Sequence, residues 1–278
     1  MEKREIAKTV RGQRTTDGAG VRLVRVLGNR DVEDFDPFLM LDSFDSTDPA
    51  DYTAGFPMHP HRGIETITYL ISGKIDHEDS LKNKGSINAG ESQWMTAGSG
   101  ILHQEMPKTS DRMLGFQLWL NLPRKEKMTD PSYLSITREM IPVIKKDNAD
   151  IHVLSGRFEE TAGVTPDHIP ATIYDVELFA NGKIDISTKP DEKVFIFLIA
   201  GDAVINRQLI LSKTAVLFGK GDSITVSSKP KSDLRFIFFS GMPLYEPIAW
   251  GGPIVMNTED ELERAFDELR RGIFIKHN

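Results

Sequence analysis

At 278 residues the chain is about twice the usual domain length, so two compact domains or one large barrel are open, and 39% apolar residues exclude a disordered polymer. The absence of cysteine excludes disulfides, thiolate metal sites and cysteine nucleophiles. A net charge of −7 with no basic block argues against direct nucleic-acid binding by phosphate neutralisation and leaves protein partners open.

The first sixteen residues are charged and lack the apolar stretch of a signal peptide, and the longest apolar run, near Val194–Ala200, is too short to cross a bilayer. A cytoplasmic protein with no membrane attachment is the expectation. Short strands separated by turn residues follow, the pattern of an all-β sandwich or barrel. The first half is predicted to hold strands over Val21–Val26, Phe38–Leu41, Ile64–Ile71, Lys74–Asp79, Ser92–Met95, Ile101–Met106 and Gly115–Leu122. The polar stretch Pro123–Pro142, with three prolines, reads as a linker. The second half repeats the style over Thr172–Leu178, Gly182–Ser187, Lys193–Ala200, Gly201–Ile205, Thr214–Phe218, Ser223–Ser227 and Leu234–Ser240. Tyr69-Leu-Ile-Ser-Gly73 parallels Phe197-Leu-Ile-Ala-Gly201, which suggests an internal duplication. One helix is expected at the C-terminal end. Thr258 and Glu261 fit a capping box, Leu262, Ala265, Phe266 and Leu269 recur at helical spacing, and Gly272 is the stop. Its expected role is to pack an apolar face on a barrel.

The chemistry concentrates in four residues. His59 and His61 flank Pro60, and alternate residues of a strand share a face. Proline suits the start or rim of a strand, since it cannot donate to a central ladder. After the turn Gly98-Ser-Gly100, His103 and Glu105 again share a face. Two such pairs on neighbouring strands can meet at one point inside a barrel. Three imidazoles and a carboxylate suit iron, manganese, nickel, cobalt, copper or zinc, and without thiolates a structural zinc site is not expected. On a six-coordinate ion about two positions then stay open for water, dioxygen or substrate. Glu65 shares the parity of His59 and His61 and competes with Glu105 for the carboxylate role.

Elsewhere, Gln117, Trp119 and Asn121 alternate with Phe116, Leu118, Leu120 and Leu122; the polar and aromatic set either lines a pocket or, for Trp119, is plain core. Trp94, Met95, Met106 and Met113 read as core. The acidic stretch Asp31–Asp51 lacks calcium-loop spacing and reads as a solvated loop. His77, His152, His168 and His277 read as surface or turn residues.

Three phrases resemble the pirins, a family of two-barrel cupins. Gly55-Phe-Pro-Met-His-Pro-His-Arg-Gly-Ile-Glu-Thr-Ile-Thr-Tyr69 and Gln93-Trp-Met-Thr-Ala-Gly-Ser-Gly-Ile-Leu-His-Gln-Glu-Met-Pro107 are similar to its two signatures, and Glu246-Pro-Ile-Ala-Trp-Gly-Gly-Pro-Ile-Val-Met-Asn257 also matches. The shorter phrases Asp36–Asp42 and Phe116–Leu122 agree in the same order. The resemblance implies an all-β bicupin with a short C-terminal helix: a metal-binding barrel over 1–134 and a metal-free barrel over 135–278. The HxHxxxE phrase usual in cupins would choose Glu65, whereas the pirin pattern makes the ligands His59, His61, His103 and Glu105. The expected cofactor is one divalent transition metal, usually Fe(II), with Cu, Ni, Co, Mn or Zn as alternatives.

Some pirins act as dioxygenases on flavonols such as quercetin. On that reading an aromatic small molecule and dioxygen are the partners, with Glu105 as the base. Others act as metal-dependent, redox-sensing protein-binding modules or transcriptional cofactors. A metal-bound structural protein without turnover is the third reading. A monomer is expected.

Overall fold

The computed structural model describes residues 2–277. It divides into two compact units, one of residues 2–13 with Arg138–Pro243 and one of Arg14–Thr137 with 244–277.

The second of these units carries the candidate site. Its strands are β1 (Gln13–Asp17), β2 (Val21–Leu27), β3 (Phe38–Ser46), β4 (Phe56–His61), β5 (Ile64–Ser72), β6 (Lys74–Asp79), β7 (Lys84–Asn88), β8 (Glu91–Thr96), β9 (Ile101–Lys108), β10 (Met113–Asn121) and β11 (Ser132–Ile136). They form an antiparallel seven-stranded sheet in the order β11-β8-β5-β10-β3-β2-β1 and a four-stranded sheet in the order β4-β9-β6-β7. Strands β5 and β10 at the centre of the larger sheet are buried almost throughout, so Glu65, Thr66, Thr68, Gln117 and Asn121 are buried along with their apolar neighbours.

The other unit repeats this plan. Its larger sheet runs 6–11, 214–218, 193–200, 234–241, 172–178, 149–155, 143–146, and its smaller one 183–187, 223–228, 203–205, 208–210. Matched strand for strand, β5 corresponds to 193–200, and each is followed by a glycine with positive φ, Gly73 at 104° and Gly201 at 79°. The duplication read from Tyr69–Gly73 and Phe197–Gly201 is therefore a duplication of topology. The fold is all-β, two tandem barrels with a C-terminal helix.

The unit boundaries differ from an even split near residue 134. Residues 6–11 pair with 214–218 and so complete the C-terminal barrel. Conversely, the C-terminal segment returns to the N-terminal unit. It forms the hairpin β12 (Ala249–Gly251) and β13 (Ile254–Met256), followed by α2 (Glu259–Arg270). The capping box of Thr258 and Glu261 is formed on both sides, with Thr258 Oγ1 accepting from Glu261 N at 3.2 Å. Leu262 and Ala265 bury their side chains against Ala249, Ile254 and Met256, and Leu102 of β9 packs on the same cluster. The amphipathic face thus stays with the barrel whose strand lies beneath it.

Two loop readings are corrected. The stretch Pro123–Pro142 contains β11, which pairs with β8 from Ser132↔Thr96 to Ile136↔Ser92, so prolines at its ends hid an edge strand. The acidic stretch Asp31–Asp51 contains α1 (Val32–Phe35) and the largely buried β3, because its acidic residues are interleaved with Phe35, Phe38, Leu39, Leu41 and Phe44. No helix among the described residues is long and apolar enough to cross a membrane.

Candidate metal centre

Strands β4 and β9 pair antiparallel with Ile101 opposite His61, Leu102 opposite Pro60 and His103 opposite His59. The i, i+2 spacing then turns His59, His61 and His103 to one side of the ladder. Their ring centroids lie 4.5–5.0 Å apart, and one ligand nitrogen from each falls within 4.8 Å of the other two. The backbone fixes this strictly. Gly63, just beyond His61, has φ +75°, and a Cβ there would stand 2.0 Å from the Val255 carbonyl oxygen, so the turn out of β4 admits only glycine.

Hydrogen bonds set which nitrogen of each ring faces the cluster. His59 Nδ1 lies 2.9 Å from the Pro57 carbonyl and His61 Nδ1 lies 3.2 Å from the Pro253 carbonyl. A carbonyl can only accept, so both rings are assigned as Nδ1–H tautomers with Nε2 lone pairs turned inward. Those two Nε2 atoms are 3.0 Å apart. Two lone pairs at that distance repel unless a cation or a shared proton sits between them. Two imidazole nitrogens about 2.1 Å from one ion at a right angle would be about 3.0 Å apart. Both His103 nitrogens are buried without a hydrogen-bond partner, a costly state for a polar group in a protein interior. Burial, reinforced by His59, holds His61 down to about 3. Burial, reinforced by His61 and His59, lowers His103 well below the ordinary imidazole range. Neutral imidazole is the form that ligates a metal. The donor set fits a divalent transition ion.

The two carboxylates occupy different places. A register shift between His103 and Glu105 sets Glu105 opposite Phe56. Its carboxylate accepts from Thr68 Oγ1 at 3.0 Å and from Gln117 Nε2 at 2.7 Å, and lies outside the trio of close nitrogens. Glu65 accepts from Thr96 Oγ1 at 2.8 Å and also lies outside the trio. Neutral donors aim both groups at these bonds.

A cavity of about 690 Å³ opens onto His59 and His61. Its apolar walls include Met40, Phe56, Trp119 and Trp250, and its polar atoms come from Asp17, Arg25, Asp42 and Gln117. Trp119 meets His61 edge-on at 5.0 Å between centroids, and Trp250 lies 5.9 Å from Trp119. Trp119 and Gln117 therefore line the pocket, whereas Asn121, the third of that alternating set, is fully buried and accepts from Lys127 Nζ at 2.6 Å. Trp94, Met95 and Met113 are core as read; Met106 is only partly buried.

Reading residues singly missed three participants. His77 is no surface residue: it sits opposite Glu105 on β6, half-buried, stacked on Tyr133 with centroids 5.9 Å apart and within 2.8 Å of Gln93 Nε2. Its parity with Asp79 on β6 was the available signal. Arg62, next to His61, is buried and donates to Ser99 O at 2.7 Å and Phe274 O at 2.8 Å, with an ion pair to Glu268 at 2.8 Å. Lys127 is buried with three oxygen acceptors, Gly63 O, Asn121 Oδ1 and Val255 O. Arg62 and Lys127 tie the C-terminal segment to the turn that carries the histidines.

In the other barrel, the strands matching β4 and β9 place Ile184, Ile186, Ile224 and Val226 in a continuous aliphatic core. Among the described residues the histidine trio is the one metal-type group of three or more ligand side chains.

The family model described as Pirin matches residues 20–120, and that described as Pirin C-terminal cupin domain matches 173–275. A pirin-like protein of Caulobacter vibrioides is 41% identical over 99% of this chain and 100% of its own length. Human pirin is 36% identical over 96% and 92%. A crystal structure of quercetin 2,3-dioxygenase from Acinetobacter baumannii superposes with a TM-score of 0.89 at 28% identity, covering 98% of each chain.

Proposed function

The chain belongs to the pirin family, and from that premise we propose that it holds one divalent transition metal, iron first, and opens the ring of flavonols such as quercetin with dioxygen. The ligands in this reading are His59 and His61 through Nε2, one ring nitrogen of His103, and a carboxylate oxygen of Glu105. The observation that carries it is the inward-facing pair of lone pairs 3.0 Å apart beside an imidazole with no hydrogen-bond partner, with His59 and His61 lining a cavity that has aromatic walls.

When bound, such a metal supplies a positive centre that lowers the cost of an ionised substrate hydroxyl and brings substrate and dioxygen together. The chain's own groups do the rest. Trp119 and Trp250 offer flat apolar faces that orient a planar ring system and displace water from it. Glu105 takes the proton of the substrate hydroxyl, with Gln117 and Thr68 holding its oxygens in position. The likeness to a quercetin 2,3-dioxygenase over the whole chain supports the choice of a flavonol.

The test is oxygen uptake. Protein loaded in turn with iron, copper, nickel, cobalt and manganese should consume dissolved oxygen on addition of quercetin with at least one metal, and His103→Ala should not. Silence with all five metals would defeat the dioxygenase reading while metal content, measured on the same samples, would still judge the ligand set.

A further inference from the structure

The cavity has a second polar end that the metal chemistry does not use. Among its lining residues His61 is buried, while Asp17 and Arg25, with 46% and 36% of their side chains exposed, stand where the cavity meets solvent. Arg25 and Asp42 are cross-strand partners on β2 and β3. Arg25 Nε donates to Asp42 Oδ1 at 2.9 Å and Nη2 to Asp42 Oδ2 at 2.7 Å, a forked pair. The same Nη2 donates to Asp17 Oδ2 at 2.6 Å. Every N–H of Nε and Nη2 is thereby used, and Nη1, with two N–H groups, has no acceptor among the described residues. Asp17 is itself pinned, since its Oδ1 accepts from Gly18 N at 2.7 Å. The turn that carries it is fixed because Gly18, at φ +57°, packs so closely on Phe56 that a Cβ would stand 2.6 Å from that ring.

We infer that Asp17 and Arg25 form a recognition site for vicinal hydroxyl groups on the outer end of an aromatic ligand, so that the cavity selects a catechol-type ring. One hydroxyl donates to the spare lone pairs of the Asp17 carboxylate while an oxygen of the pair accepts from Arg25 Nη1. Two carboxylates against one guanidinium leave this end negative, which disfavours a ligand with a carboxylate or phosphate there and favours a neutral hydroxyl donor. Preorganisation supports the assignment: the fork to Asp42 holds the guanidinium before any ligand arrives, so little side-chain freedom is lost on binding. The inference rests on the flavonol reading for the identity of the ring that carries the hydroxyls.

The experiment measures binding under argon, so that nothing turns over, through quenching of the tryptophans that line the cavity. The ligands are quercetin and the same flavonol without hydroxyls on its outer ring, offered to nickel-loaded wild type, Asp17→Asn and Arg25→Lys. Loss of a hydrogen bond to a charged group lowers affinity by about tenfold or more. Quercetin should bind wild type at least about tenfold more tightly than the deoxy ligand, and Asp17→Asn should erase that advantage while leaving the deoxy ligand unchanged. Arg25→Lys keeps the charge but not the fork, and should lose part of it. Equal affinities in wild type, or equal losses for both ligands in Asp17→Asn, would overturn the inference. If neither flavonol binds, the flavonol reading fails, and catechol itself becomes the probe: saturable binding abolished by Asp17→Asn upholds the hydroxyl site, and no binding overturns it.

Discussion

Acidification distinguishes a buried three-imidazole centre from an exposed one. An ordinary imidazole titrates near pH 6.5 and is about 90% protonated at pH 5.5, so each ordinary histidine ligand costs a site about tenfold in metal affinity between pH 7.5 and 5.5. Three such ligands would cost about a thousandfold over that interval. Here burial pushes His61 down to about 3 and His103 well below the ordinary range, with neighbouring imidazoles adding to the shift. A folded value below the ordinary one means that these rings refuse protons as the pH falls, so both remain ligands throughout this window. Two of the three factors therefore drop out, and the expected loss is far smaller than a thousandfold. The assay is competition for Ni(II) against a chromophoric chelator at pH 7.5, 6.5 and 5.5, with the chelator's own proton dependence subtracted. A fall near a thousandfold would refute the reasoning, because His61 and His103 would then be titrating as exposed groups do.

Gln117→Leu removes the 2.7 Å hydrogen bond that aims Glu105, and should weaken nickel binding by about 10- to 100-fold in the same competition; unchanged affinity would remove Glu105 from the ligand set. Lys127→Met leaves three buried oxygens without their donor and should lower stability by about 3 kcal/mol or more in urea denaturation. Burial pulls the Lys127 amine down to about 7 from 10.5, so above pH 7 the folded chain holds a neutral amine, which donates to two of the three oxygens, and the wild type gains stability as pH rises from 7 to 10.5. The stability gap between wild type and Lys127→Met should therefore widen from pH 7 to 10, and a constant gap would contradict this. Gly63→Ala forces a Cβ against the Val255 carbonyl at positive φ and should cost more than about 2 kcal/mol while loosening metal binding; a melting temperature equal to wild type would contradict it.

The histidine trio was legible in the sequence because its geometry is local: two i, i+2 pairs and one antiparallel register bring the rings together, and Pro60 and Gly98–Gly100 mark where the strands begin. What holds Glu105 was not legible, since Thr68 and Gln117 reach it only through the order β5-β10 in one sheet and a register shift in the other. The Arg25–Asp42 pair depends on the register of two strands that a helix and loop separate, and that register shifts directly after Arg25. Barrel completion was hidden for a different reason. Residues 6–11 are exposed on alternate positions and look like a charged tail, and β11 lies in a proline-flanked polar stretch; both are strands only because a neighbouring edge accepts them. The contribution of Trp250 and Pro253 to the cavity comes from a segment about 190 residues away from His61, so its Trp-Gly-Gly-Pro phrase signalled a turn but not a destination.

Anomalous diffraction at the nickel edge from crystals of the nickel-loaded protein tests the central claim most directly. One peak should stand between β4 and β9, within bonding distance of His59 Nε2, His61 Nε2, one nitrogen of His103 and a Glu105 oxygen. An ion seated elsewhere, or no ion at these three imidazoles under saturating nickel, would contradict it.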